Sequence, residues 1–299
     1  MRNKKWSNFE ERELVHFLYD RKLSIKEIAK TIERSYDSVK HKAKEICHEH
    51  RILVFGDLHA PYCDQRAKEI MIEIGIDFNP HEVVSLGDFA DMYSVTLHQK
   101  SPSMTNVLLD DIRAVNKELD VFSLAFPDAK KVFLEGNHEN RLGRYIASKA
   151  PELFNMLDIP SLFRLKEHGF EYVKYGPNQL YVPVTSAGTL AKFGMRHEPL
   201  SGGVGAARIS VLKAMESLFY AHNHRLEEYH TKTILGRSVF GTSFGWLGQE
   251  GHKAFEYVKN PHTWQHGFGL VWLLPNGECI HKSMHIKDGM CTYNGKIYK

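Results

Sequence analysis

Apolar residues in the first 48 positions recur with a helical period. Ile25, Ile28, Ala29 and Ile32 stand at i, i+3, i+4 and i+7, and Tyr36, Val39, Ala43 and Ile46, at i, i+3, i+7 and i+10, form a second such stripe. Ser7 with Glu10 and Ser24 with Glu27 have capping-box spacing, and Ser35 is placed to cap a third helix. The pattern predicts three short helices, with only Glu33 and Arg34 joining the second to the third, which is helix-turn-helix spacing. The apolar stripe of the third helix leaves Ser38, Lys40, His41, Lys44 and Glu45 on its other face.

From residue 51 the pattern changes to short apolar runs alternating with amphipathic stretches. ILVF (52–55), EVVSL (82–86), KVFLE (131–135), TLAKFGM (189–195) and SLFYA (217–221) read as strands. Helices are expected from Asp64, where Ala67, Ile70, Met71 and Ile74 share a face, and over 104–125, where Leu108, Ile112, Val115, Leu119 and Phe122 do. Two more are expected from Asn140 to Ser148, stopping near Pro151, and over 206–216. Such alternation predicts an α/β core with helices on both faces of a sheet. Toward the C-terminus, VWLLPNGECIHK and MCTYNGKIY each place Asn-Gly between strand-like runs, a hairpin signature, so the last third is β-rich. The expected division is a small three-helix domain at 1–48 and an α/β domain at 51–299.

Composition narrows the class. A chain of 299 residues, 42% hydrophobic and 25% charged, can bury a full core. No run of about 18 apolar residues occurs, and Met1 to Trp6 is basic and polar, so neither a membrane span nor a secretion signal is expected and the cytoplasm is the expected compartment. Cys47, Cys63, Cys279 and Cys291 lack zinc-type spacing and read as small hydrophobes of a reducing compartment. Residues 1–50 carry 12 Lys/Arg against 9 Asp/Glu, so the net charge of +3 lies entirely there. Of 18 histidines, all but His16, His41, His48 and His50 follow residue 50, several beside Asp, Asn or Gly, which points to metal ligation.

Five strand-like runs are each followed by a cluster of ligand type. They are Asp57-Leu58-His59, Gly87-Asp88, Gly136-Asn137-His138-Glu139, His197, and His222-Asn223-His224. Loops at the carboxyl ends of strands in an α/β sheet can bring such remote segments together. A pair of divalent cations about 3.5–4 Å apart needs a shared carboxylate and further O and N donors on each side. One cluster alone is weak evidence; the ordered set is strong.

The set DxH, GD, GNHE, H, HxH resembles the calcineurin-like metallophosphoesterase superfamily, which includes phosphoprotein phosphatases, nucleotide phosphodiesterases and Mre11/SbcD-like nucleases. The resemblance covers roughly residues 51 to 232. It implies a sandwich of mixed sheets flanked by helices. It also implies that Asp57, His59 and His224 hold one metal, that Asn137, His197 and His222 hold a second, and that Asp88 bridges them. His138 would be the general acid and Asp91, the second Asp of GDFAD, would orient it. Two positions depart from the family pattern: Ala221 precedes HxH and Glu198 follows His197, where glycine is usual in both. Glu139-Asn140-Arg141 is similar to a phage and bacterial branch, and Arg141 is either a clamp for a phosphate oxygen or a surface ion pair. The implied cofactors are two divalent metal ions, Mn²⁺ first, with Fe, Zn or Mg as alternatives. They would deliver an activated water in line with the leaving group while His138 protonates it. His262, His266, His281 and His285 are assigned no role, and Trp246, Trp264 and Trp272 are core by default, with a lid or a dimer surface as the alternatives.

WSNFEERELVHFLYDRKLSIKEIAKTIERSYDSVKHKAKEI resembles a Myb/SANT-like helix-turn-helix module, carried by Trp6, EIAKTI and RSYDSVKHKA. Such modules serve nucleic-acid contact, here through Lys40, His41 and Lys44, or protein contact and oligomerisation. The two resemblances together imply a nuclease, with DNA ahead of RNA as partner, no membrane partner, and homo-oligomerisation left open. The rivals are a phosphomonoesterase or cyclic-nucleotide phosphodiesterase whose small domain serves assembly, and a non-catalytic DNA-binding protein.

Overall fold

The computed structural model describes residues 5–98, 100–154, 156–256, 258 and 261–299; the first four residues of the N-terminal module lie outside them. That module begins with α1 (Asn8–Val15), prolonged by a wider π-type turn at His16–Asp20, and continues with α2 (Ile25–Thr31) and α3 (Tyr36–Ile46). Ser7 and Ser24 each accept the amide three residues on while Glu10 and Glu27 reach back, as the spacing predicts. Leu14, Val15, Ile28, Ala29, Val39 and Ile46 make its core, and the Arg34 guanidinium lies 4.3 Å from the Trp6 ring.

The rest is an α/β sandwich of two mixed sheets flanked by helices. One sheet contains β1 (His50–Phe55), β2 (Glu82–Ser85), β3 (Lys130–Leu134) and β4 (Phe170–Val173), all parallel. The other holds β5 (Phe193–Met195), β6 (Ser217–Tyr220), β7 (Leu226–Lys232) and β8 (Ser238–Phe244), in the order β5-β6-β8-β7. The chain then returns to the first sheet with β9 (Gly267–Leu273) and β10 (Cys279–His285), both antiparallel additions, giving β10-β9-β1-β2-β3-β4. A small ribbon, β11 (Cys291–Tyr293) with β12 (Lys296–Tyr298), closes the described chain. Both Asn-Gly signals mark hairpin turns, and at Asn294-Gly295 both residues have positive φ, 47° and 78°.

The helices are α4 (Gln65–Phe78), α5 (Leu108–Ala125), α6 (Arg141–Lys149), the short α7 (Ile159–Leu162) and α8 (Ala206–Ala214). Leu53 and Phe55 of β1 share a cluster with Ile70, Met71 and Ile74 of α4 and with Phe122 of α5, whose ring stacks on Phe55 at 4.8 Å. The alternate residues Ile52 and Val54 join Phe193, Met195, Phe219 and Phe244 of the second sheet. Burial on both faces explains the unbroken apolar run. It also corrects one expectation: the second face of the large sheet is covered by another sheet, and α8 lies outside that one, against β7 and β8. Two boundaries also differ. The long helix starts at Leu108 rather than 104, where Asp110 turns back to accept the Val107 amide, and Thr189–Lys192 is loop rather than strand.

The N-terminal module packs where the parallel strands begin. Ala187 enters its core, and Asp20 accepts from Asn276 in the β9–β10 turn at 3.3 Å. Among the described residues no helix is long and apolar enough to cross a membrane.

Candidate metal centre

All five ligand clusters lie just past the carboxyl ends of β1, β2, β3, β5 and β6. The chain turns sharply there. Asp57, His59, Asp88, His222 and His224 have φ between 50° and 73°, a region that non-glycine residues rarely occupy and that concentrates at functional sites. Cross-strand hydrogen bonds hold the turns, including Asp57 N to Gly87 O at 3.0 Å and His59 N to Asp88 O at 2.9 Å. Gly136 is required for packing, since a Cβ there would sit 2.2 Å from Asp88 Oδ1. Ala221 is accommodated by Gly56: its methyl fills the space in which a Cβ at Gly56 would stand 2.7 Å away.

A first group forms from Asp57, His59 and His224. His59 Nε2 and His224 Nε2 are 3.1 Å apart, and His224 Nε2 lies 3.7 Å from Asp57 Oδ1. Asp57 Oδ2 accepts the His222 amide, whereas Oδ1 is buried without a hydrogen-bond partner among the described residues. The second group comprises Asp88, Asn137, His197 and His222. His197 Nδ1 is 3.0 Å from the Leu86 carbonyl, which fixes the proton there, so in the neutral ring the Nε2 lone pair faces Asn137 Oδ1 at 2.9 Å and Asp88 Oδ2 at 3.3 Å. His222 Nδ1 meets the same Asn137 oxygen at 2.7 Å. Ring nitrogens, an amide oxygen and carboxylates crowded within about hydrogen-bond distance of one another, beside an orphaned carboxylate oxygen, form a donor set that fits a divalent cation in each group.

The electrostatics follow from this crowding. Burial pushes the Asp57 carboxyl well up, and Asp88 adds to the shift. Burial also works against ionised Asp88, but the imidazoles of His138 and His197 outweigh it and hold that carboxyl well below its usual range. His197 is raised to about 9: burial opposes its charge, and Asp88, Asp57 and Glu139 overcome that. His222 falls to about 4 through burial and the nearby His197, and burial with His59 lowers His224 as well. Asp88 thus acts on members of both groups.

His138 stands beside them. Its Nδ1 is 3.2 Å from Asp91 Oδ2 and 3.0 Å from the Asp91 carbonyl, and Asp91 Oδ2 also meets His59 Nδ1 at 3.1 Å. Arg141 opens α6 and is buried, which excludes the surface ion pair. Its Nη1 donates to the Asp91 carbonyl at 2.9 Å, and its Nη2 lies 2.9 Å from His138 Nε2. Lys40, His41 and Lys44 are exposed on α3 and are not brought to this centre.

Two participants escaped sequence reasoning as individuals. Buried Glu139 accepts the amides of Gly136, Asp88 and Ala90, at 2.7, 3.1 and 2.7 Å, tying two ligand loops together; burial, then Asp88, raises its carboxyl to about 8. Its place at the end of GNHE was the available signal. Gln179 accepts the His197 amide at 2.9 Å from a loop with no recognisable pattern. Trp246, fully buried, stacks on His224 at 5.0 Å, and Trp264 meets the same ring edge-on at 4.3 Å, so both wall the first group. Trp272 packs against Phe78 instead.

The calcineurin-like phosphoesterase family profile matches residues 50–236. Similar solved structures include vacuolar protein sorting 29 from Cryptosporidium parvum, at 11% identity, 84% of this chain, 98% of that chain and a TM-score of 0.45. A single mutant of Vps29 from Entamoeba histolytica has 11% identity, 81% and 96% coverage and a TM-score of 0.39. Yfce, a phosphoesterase from E. coli, has 12% identity, 78% and 98% coverage and a TM-score of 0.33. No curated protein sequence matches the chain significantly. With the family profile spanning more than half of its length over the loops that carry both ligand groups, the chain belongs to the calcineurin-like phosphoesterases, a family of metal-dependent hydrolases that typically bind two divalent metals.

Proposed function

We propose that the protein hydrolyses phosphodiester bonds in nucleic acid, DNA ahead of RNA, as a nuclease of the phage and bacterial branch working in the cytoplasm. The observation that carries this reading is the convergence of Asp57, His59 and His224 with Asp88, Asn137, His197 and His222 beside His138. These residues would hold two divalent cations, Mn²⁺ first, with Asp88 shared. When bound, such a pair supplies nucleophilic water near neutral pH and compensates the charge of the phosphoryl oxygens.

The chain's own groups complete the chemistry. His138, with Nδ1 anchored on Asp91, presents Nε2 to the centre and protonates the departing sugar oxygen. Arg141 Nη2 donates to His138 Nε2, so a phosphate oxygen arriving there would take over the Arg141 donor and free Nε2 to carry the proton it delivers. Beside the first group, the half-buried rings of Trp264 and His252, the latter stacked at 4.4 Å on buried Tyr62, provide aromatic faces suited to bases. The N-terminal helices, as a Myb/SANT-like module, would contact the phosphate backbone through Lys40, His41 and Lys44.

A second reading, a phosphomonoesterase or cyclic-nucleotide phosphodiesterase with the module used for assembly, is favoured by one observation. The module docks where β1 starts and the ligands follow where it ends, six residues or about 20 Å away. The test is hydrolysis of plasmid DNA, single-stranded DNA, RNA, and mono- and diester nitrophenyl phosphates with Mn²⁺, against an Asp88→Asn control. DNA cleavage lost in the control is expected; turnover of monoesters alone would end the nuclease reading.

A further inference from the structure

A separate group of metal-ligating side chains sits at the seam between the two sheets. Glu228 and His230 are two apart on β7, the edge strand of the four-stranded sheet, and so project from one face. His281 comes from β10, the edge strand of the six-stranded sheet. Glu228 Oε1 meets His281 Nε2 at 2.9 Å and also meets His230 Nε2, while Thr242, opposite Glu228 in the β7–β8 register, places Oγ1 3.2 Å from His281 Nε2. The His281 side chain is 6% exposed and is fixed by the rings of Phe240 and Phe219 at 4.6 and 5.0 Å. The His230 ring lies parallel to it at 5.9 Å.

We propose that Glu228, His230 and His281 form a further divalent-cation site, of zinc type, that staples the edge strands of the two sheets together. Two imidazoles and a carboxylate are a zinc donor set, with a fourth position left for water or the Thr242 hydroxyl. Tetrahedral zinc bonds of about 2.0–2.2 Å separate ligand atoms by about 3.3–3.6 Å. The three ligand atoms lie within 4.8 Å of one another, and His230 and Glu228, 60% and 42% exposed, have room to adjust around the fixed His281. The aromatic wall behind it limits water on one side, and the open side gives an ion its entry. The three ligands stand on strands β7 and β10 rather than on the catalytic loops, so the ion's effect is on the sandwich: it adds stability in proportion to its occupancy.

The test counts ions. Chelator-treated protein is reloaded with Zn²⁺, desalted, and assayed for metal per chain by mass spectrometry in wild type, His230→Ala, Glu228→Gln and Asp88→Asn. The expected result is one fewer zinc in His230→Ala and in Glu228→Gln than in wild type, with phosphoesterase turnover unchanged. Read as a difference, the count does not depend on how many ions the catalytic loops hold, which Asp88→Asn reports separately. In the Asp88→Asn background, zinc should raise the melting temperature, and adding His230→Ala should abolish that rise. Equal zinc content in His230→Ala and wild type would overturn the site.

Discussion

Asp91 is shared by two imidazoles, His59 in the first ligand group and His138 beside it. Burial opposes its charge, but His138 and His59 hold the carboxyl well below its usual range, so it remains an anion that can orient both rings at neutral pH. If His138 is the proton donor, His138→Gln should retain both metals yet lose about 10²–10⁴-fold in turnover of a diester with a sugar leaving group. The loss should be much smaller with a nitrophenolate, which leaves without help; comparing the two substrates in one preparation checks this, and equal losses would remove His138 from the donor role. Asp88→Asn should lower both activities by more than about 100-fold, because even outer-shell changes at metal sites cost about 10–100-fold. Its metal content should fall as well. The ligand candidates were legible because each falls in a short motif directly after an apolar run. Glu139 and Gln179 act through backbone amides, which impose no residue spacing, and the inward course of Arg141 depends on packing around α6 that no local pattern encodes.

Elements buried on both faces, such as β1 and β3, were legible as unbroken apolar runs, and the capped helices as boxes. β7 was not, since LEEYHTK is half exposed and its partner β8 follows a turn at Gly236 without the Asn-Gly signature. The box at α1 carries a pH signature. The Ser7 amide, the Ser7 hydroxyl and Arg34 together outweigh burial and hold the Glu10 carboxyl down at about 2, against 4.5 in the unfolded chain. A depressed acid contributes stability above its unfolded value, and that contribution is lost as pH falls from 4.5 toward about 2. Protection factors of the amides in α1–α3, corrected for the intrinsic pH dependence of exchange, should therefore fall across that window in wild type, while Glu10→Gln should start less protected and lack the step; identical profiles would refute the link. At the loop after β3, Gly136→Ala should cost about 1–3 kcal/mol of stability. It should also weaken metal retention, because its Cβ would press on the backbone and carboxylate of Asp88. Thermal unfolding with and without Mn²⁺ reads both effects.

At the scale of the whole molecule, the order of the two resemblances along the sequence says nothing about where the N-terminal helices sit, and their position decides how a bound polymer would run. Their core takes in Ala187 and they reach Asn276 and Lys192, all at the end of the sandwich away from the ligand loops. A duplex held on α3 would have to travel the length of β1 and more to reach His138, so the module would act by raising local substrate concentration rather than by presenting a base. Deleting it would uncover the surface around Ala187, which makes a charge variant the cleaner probe. Replacing Lys40, His41 and Lys44 together by Ala should leave turnover of nitrophenyl diesters unchanged and weaken binding of long DNA. The dependence of log affinity on log salt should flatten by about 0.9 for each phosphate contact removed. The same variant should cleave a short oligonucleotide and a plasmid at rates that no longer differ through affinity. If DNA affinity and its salt slope stay at wild-type values, the α3 face is not the reader, and the module's place at the strand entrance is then explained by assembly.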